Sequence, residues 1–328
     1  MDEASAEIGS TRAAATPAAD PAAPADRALP VSTGRLRELE ADENFPVALR
    51  LLPKDLRHDL RVVYAFARGV DEVGDAVDLS PDQRTSRLVR LDEELARIWS
   101  GRSVDDPVLR ALAGTVSRRS LEAEPFHRLV RANLQDQEVS RYPTFEDLLG
   151  YCRLSADPVG RIVLDVFDQG DPENVALSDR VCTALQLLEH WQDVAEDRRA
   201  GRVYLPQEDL AAYGAAEPDL DAPTASPALR RLVRFEVDRA AALLEEGAGL
   251  VGHLRGWARP CVAGFVAGGR ATVAALRATD GDVLGRTATP SKAGTARRML
   301  PLLLTGGHRS TSWSTSRRTS RTARGRHR

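Results

Sequence analysis

The sequence predicts an all-α protein, and three observations carry that expectation. Ala, Leu, Arg, Glu and Asp dominate the 328 residues and only 5% are aromatic, a composition that favours helices over sheet-rich folds. Apolar residues recur with a helical period, as at Leu51, Leu56, Leu60, Val63 and Ala67, which gives a helix one buried face. Alternating apolar and polar runs of strand length are nearly absent. With 42% hydrophobic residues, the chain can bury one large core or two modest ones.

Residues 1–34 hold eleven alanines and four prolines without a periodic apolar face; such a segment cannot offset the entropy of ordering and is expected to be a disordered tail. Residues 35–305 read as one catalytic-size domain. Within it, helices are predicted near Leu60 to Val70, Arg84 to Trp99, Pro107 to Arg118, Pro125 to Gln137, Thr144 to Arg153, Pro158 to Phe167, Leu177 to Arg199, Pro227 to Glu246 and Gly256 to Arg277. Thr144, ahead of Glu146 and Asp147, and the pair Ser178-Asp179 carry helix-start signals. Gly201 to Pro206 is expected as a loop, and the whole as a bundle of about eight to ten helices. Gly247-Ala-Gly-Leu-Val-Gly252 matches a dinucleotide fingerprint, but it follows a helix and not a strand, so a helix-end turn is the better reading. Residues 306–328 carry seven arginines and no acid; they read as a second disordered tail that suits anionic partners.

The net charge of −3 exerts no global pull on nucleic acid, and none is expected as a partner. Cys152, Cys182 and Cys261 are odd in number and far apart, which fits a reducing cytoplasm and neither a disulfide framework nor a Cys-based metal site. The start of the chain lacks the pattern of a secretory signal, and no stretch is expected to reach the roughly 18 apolar residues of a membrane span. A peripheral contact with the inner membrane face, through Leu300 to Leu304, stays open. His58, His127, His253, His308 and His327 show no ligand spacing.

Two stripes carry the chemistry. Tyr64, Arg68, Asp71 and Asp75 fall on one helical face, and Gln186, His190, Asp193 and Asp197 repeat the same offsets. Val62, Val63, Ala65, Phe66 and Val70 flank the first, while Leu185, Leu187, Leu188, Trp191 and Val194 flank the second, so both helices should be largely buried. Carboxylates there are costly unless paired, protonated or metal-bound. Mg²⁺ resolves the cost by taking one or two carboxylates and completing its shell with water and phosphate oxygens.

The runs Tyr64-Ala-Phe-Ala-Arg-Gly-Val-Asp71-Glu-Val-Gly-Asp75, Tyr151-Cys-Arg-Leu-Ser-Ala-Asp-Pro-Val-Gly-Arg161, Gln186-Leu-Leu-Glu-His-Trp-Gln-Asp193-Val-Ala-Glu-Asp197 and Gly201-Arg-Val-Tyr-Leu-Pro206 resemble the squalene and phytoene synthase family. Glu43-Asn-Phe-Pro-Val-Ala48, Trp191-Gln-Asp193 and Tyr204-Leu-Pro-Gln-Glu-Asp209 bring the resemblance closest to its hydroxysqualene synthase branch, of the hopanoid pathway. The resemblance implies a class I isoprenoid synthase-type helical bundle with a central cavity. It implies Asp71, Asp75, Asp193 and Asp197 as Mg²⁺ ligands, Arg68 on diphosphate, and Tyr64, Tyr151, Gln186, Arg202 and Tyr204, with His190, at the cavity. Its expected partners are a prenyl diphosphate and the other enzymes of squalene synthesis. The expected reaction ionises presqualene diphosphate, and water captures the cation as hydroxysqualene; condensation of farnesyl or geranylgeranyl diphosphate to squalene or phytoene is the alternative. A non-catalytic binding protein that keeps the fold is a further alternative, resting on Glu72 and Glu189, where the family usually has Asp and Asn.

Overall fold

The helix-start chemistry of the sequence reappears in a computed structural model that describes Leu29 and residues 52–305. Ser80 and Thr144 close capping boxes with Gln83 and Asp147, and Asp106 caps its helix by accepting from the N–H groups of Val108 and Leu109. Helices run in the order α1 (Lys54–Gly74), α2 (Pro81–Trp99), α3 (Pro107–Arg119), α4 (Glu124–Gln135), α5 (Phe145–Ser155), α6 (Asp157–Val166), α7 (Pro172–Gln192), α8 (Val194–Arg199), α9 (Gln207–Tyr213), α10 (Pro227–Gly247), α11 (Leu250–His253), α12 (Ala258–Ala278) and α13 (Lys292–Thr305). A short 3₁₀ turn, Glu217–Asp221, precedes α10. Among the described residues there is no strand, only an isolated bridge between Arg141 and Val203.

The helices outnumber the eight to ten expected because long periodic segments break and short ones form between them. α7 also starts earlier than Ser178-Asp179 suggests. Asp171 caps it, accepting from the Asn174 N–H, and Pro172 fills the first turn, where its missing N–H costs nothing. Ser178 is buried in mid-helix, and Asp179 pairs with Arg161. Gly247 ends α10, so the glycine-rich run is a helix end as read. The run Glu43 to Ala48, and both expected tails apart from Leu29, lie outside the described residues. Leu29 itself is buried, and its N–H donates to Asp106 Oδ2 at 3.2 Å.

Three apolar clusters hold the bundle. The first joins α1 to α4 around Phe66, which meets Phe126 edge-on with ring centroids 5.6 Å apart; side chains of this size contribute about 1.5–3 kcal/mol each on burial. The second packs α7 against α10, with Leu187, Leu188, Trp191, Leu229 and Leu232 inside. The third gathers α7, α10, α12 and α13 around Val262 and Val266. Contrary to the sequence expectation, one helix, α12, is long and apolar enough to cross a membrane; 56% of its apolar window is buried within the protein, because it packs on α7, α10 and α13. α7 touches the second and third clusters, and α1 the first, so the two striped helices are fixed by separate cores.

Candidate active site

Both stripes finish on a helix terminus. α1 stops at Gly74, leaving Asp75 as its C-cap, with the Asp75 N–H donating to Asp71 O at 2.8 Å. The second stripe, read from sequence as one continuous helix to Arg199, breaks at Asp193, which ends α7 and starts α8. Carboxylates at a helix C-terminus meet the negative pole of the macrodipole, at about 0.3–1 kcal/mol each. Helix stability therefore disfavours this placement, and a cation relieves it.

The two termini are electrostatic neighbours. Glu189 on α7 raises the pKa of both Asp71 and Asp193. Arg202, in the loop after α8, donates from Nη2 to Asp75 Oδ1 at 2.8 Å. Gly201 sets that loop's direction with φ +84°, a conformation that disfavours side chains with a Cβ. The loop is tied to the segment before α5 by Val203 N–H to Ser140 O at 2.9 Å and by Arg141 to Gly201 O at 2.6 Å.

Asp71 is solvent-accessible yet surrounded by protein on most sides, the situation of a group lining a concavity and not a convex surface. This corrects the expectation of carboxylates sealed inside apolar helices: the apolar flanks Val62, Val63, Phe66, Val70, Leu187, Leu188 and Trp191 are buried, but Asp71, Asp75 and Glu189 are exposed. Desolvation pushes the Asp71 carboxyl up to about 7; the charges of Asp75 and Glu189 add to it, against a hydrogen bond from Asn133. Asp193 is pushed up to about 6, by desolvation first and then by Glu189, Asp197 and Glu196. Gly74 matters here: a Cβ there would strike the Asn133 amide, which donates to Asp71 Oδ1 at 3.0 Å.

A polar and aromatic wall adjoins the acids. The His190 ring stacks on Tyr204, centroids 3.6 Å apart, with Tyr151 and Tyr142 packed beside them. Gln186 Nε2 lies 3.2 Å from His190 Nε2, and His190 Nδ1 lies 3.7 Å from Asp197 Oδ2. Tyr151 O–H donates to Asp136 Oδ2 at 2.7 Å and Tyr204 O–H to Asp136 Oδ1 at 3.3 Å. Desolvation raises the pKa of Asp136, against the Tyr151 hydrogen bond, and desolvation likewise raises both phenols. The structure thus links Tyr151, Gln186, His190, Arg202 and Tyr204 to the acid-bearing ends. Arg68 faces Glu72, Nε to Oε1 at 3.6 Å, while Tyr64 packs half-buried against the first core cluster.

Asp136, Asn133 and Tyr142 were not singled out from sequence. Asn133 and Asp136 sit one turn apart at the end of α4, and no repeated stripe marks them.

The donor set fits a hard divalent cation. Asp71 and Asp193 are held in their charged form against desolvation and like charges, and Asp197 Oδ2 is buried without a hydrogen bond. Among the described residues no three His, Cys, Asp or Glu side chains converge as a complete cage, which matches an ion that takes one or two carboxylates and fills its shell with water and phosphate oxygens.

A sequence model of the squalene/phytoene synthase family matches residues 39–294. Hydroxysqualene synthase of Zymomonas mobilis subsp. mobilis is 35% identical over 212 residues, covering 63% of this chain and 69% of that protein. Phytoene synthase of Mycobacterium bovis is 31% identical over 251 residues, covering 75% and 81%. The crystal structure of squalene synthase HpnC from Alicyclobacillus acidocaldarius is similar at 40% identity and TM-score 0.69, over 76% of this chain and 94% of that one. A dehydrosqualene synthase in complex with ligand shares the fold at TM-score 0.74 and 23% identity, over 82% and 94%.

Proposed function

The chain belongs to the squalene/phytoene synthase family of isoprenoid-transferring enzymes, and from that premise we propose that it ionises presqualene diphosphate, water capturing the cation to release hydroxysqualene and diphosphate. The observation that carries the reading is the pairing of two acidic helix ends beside a desolvated aromatic wall. Asp71, Asp75, Asp193 and Asp197 would hold Mg²⁺, which when bound neutralises the negative charge that builds on a departing diphosphate. Arg68, one turn before Asp71, meets phosphate oxygens. Arg202 orients Asp75 through their 2.8 Å contact.

The chain's own residues then shape the fate of the cation. The rings of Tyr142, Tyr151 and Tyr204 offer π faces that stabilise positive charge. Gln186 and His190 present nitrogens, and the Tyr151 and Tyr204 hydroxyls converge on Asp136. This polar cluster orients the attacking water, and Asp136 accepts the proton released when the new C–O bond forms.

Relatives named hydroxysqualene synthase at 34–35% identity support this reading. The wider coverage of the Mycobacterium bovis phytoene synthase keeps head-to-head condensation as a second reading. Product analysis separates them. With presqualene diphosphate and Mg²⁺ alone, in oxygen-labelled water, the expected product is hydroxysqualene carrying the label, formed without NADPH. Squalene formed only with NADPH, or phytoene formed from geranylgeranyl diphosphate, replaces this reading with a sibling activity.

A further inference from the structure

α13 is amphipathic in an unusual sense: both of its faces are apolar, but only one has a partner. Leu302 is buried, and Met299 and Leu303 pack against the cluster around Val262 and Val266. On the other side, Leu300 and Leu304 are 62% and 77% exposed. Among the described residues, six large hydrophobic side chains are exposed, and a third of this group, Trp257, joins these two leucines at one corner. The tie is explicit: Arg259, in the first turn of α12, donates from Nη2 to Leu303 O at 2.7 Å, so the α12 turn that carries Trp257 sits beside the last turn of α13. Isolated exposed leucines are ordinary; two leucines and a tryptophan at one corner are a patch.

The charge around that patch has one sign. Arg255 is exposed next to Trp257, and Lys292 and Arg297 are exposed on α13. None of the 46 residues after Asp282 is acidic and eleven are basic, in a chain whose overall charge is −3. Leucine and tryptophan side chains ringed by arginines suit an interface whose inner layer is hydrocarbon and whose outer layer is anionic, because aromatic rings favour the headgroup level and arginine stems reach outward from it.

We propose that this corner, formed by the start of α12 and the outer face of α13, docks the protein on a bilayer rich in anionic phospholipid. The inference stands on the surface itself and not on the product assigned above. It gives that reaction a physical advantage, since a prenyl diphosphate and an apolar product both partition to the bilayer. Neither apolar burial nor charge alone suffices for stable attachment, and the combination is the usual requirement.

The test is flotation of the full chain with vesicles of phosphatidylcholine alone or mixed with phosphatidylglycerol. The wild type floats with the mixed vesicles, not with phosphatidylcholine alone, and floats less as salt rises. L300S/L304S lowers the bound fraction about tenfold or more, with an unchanged thermal melt; because both side chains are exposed, folding is spared. W257S gives a smaller loss in the same direction. Wild type that stays in solution with anionic vesicles overturns the proposal. So does a L300S/L304S protein that floats like wild type while removal of residues 306–328 alone abolishes flotation, since the basic segment then acts without the corner. A wild-type dimer that L300S/L304S converts to monomer, with no flotation by either, reassigns the patch to contact between two copies.

Discussion

The two ends of α1 carry the same residue in opposite circumstances. Asp59 lies near the surface but is sealed from solvent by the side chains that clamp it: Arg118 Nη2 at 2.6 Å, Arg119 Nε at 2.7 Å and Thr115 Oγ1 at 3.3 Å. Burial works against its charge, but the two guanidinium groups outweigh it and hold the carboxyl below its ordinary pKa. Asp71, about three turns on, is deep in the protein yet open to solvent, and its carboxyl rises to about 7. One aspartate has its cations built in, and the other faces like charges from Asp75 and Glu189 with an amide as its donor. The lesson is that a helix can present a finished ion pair and an unfinished one on the same sequence, and that the unfinished one marks where an external cation belongs.

The largest effect should come from the unfinished end. Asp71→Asn or Asp193→Asn keeps side-chain volume and removes a metal ligand, so turnover falls by about 10²-fold or more, while circular dichroism and the melting temperature stay put. Full turnover in either variant breaks the distinction between the two ends. At the finished end the outcome inverts: Asp59→Asn lowers stability by about 2–3 kcal/mol, read by urea unfolding, and leaves turnover of the folded protein unchanged. A stable Asp59→Asn protein would mean that the clamp is ornamental.

How much of this contrast was legible from sequence depends on the range of the interaction. The stripes are local: period and residue type place Asp71, Asp75, Asp193 and Asp197 without tertiary knowledge, and the caps at Ser80 and Thr144 are equally local. The early start of α7 was readable in the Asp171-Pro172 pair, a stronger signal than the Ser178-Asp179 that competed with it. The break at Asp193 was not, since neither glycine nor proline announces it. Asp136 and Asn133 belong to α4 and its end, and they matter through partners from α5, the loop after α8 and α1. Only folding brings those partners to them. The Asp59 clamp escaped for the same reason, its arginines being 59 and 60 residues away.

A smaller effect sharpens the comparison away from both ends. Glu236 on α10 is fully buried. Desolvation pushes its carboxyl up to about 8, with Arg239 opposing and Asp209 adding to the rise. Because the folded pKa lies above the unfolded one, the stability tied to its proton is fully present below about 4.5 and is lost as pH rises to about 8. Glu236→Gln removes that dependence, so its melting temperature should gain on the wild type across this window. Parallel pH profiles would place Glu236 outside the linkage.

The most direct measurement is titration of Mn²⁺, followed by its electron paramagnetic resonance signal, in the presence of inorganic diphosphate. The facing acidic helix ends predict that the wild type binds Mn²⁺ more tightly once diphosphate is added, that D71N/D193N weakens this binding about 100-fold or more, and that Glu189→Asn weakens it less. A D71N/D193N protein that binds Mn²⁺ with diphosphate as tightly as the wild type would contradict the assignment of these helix ends as the cation site.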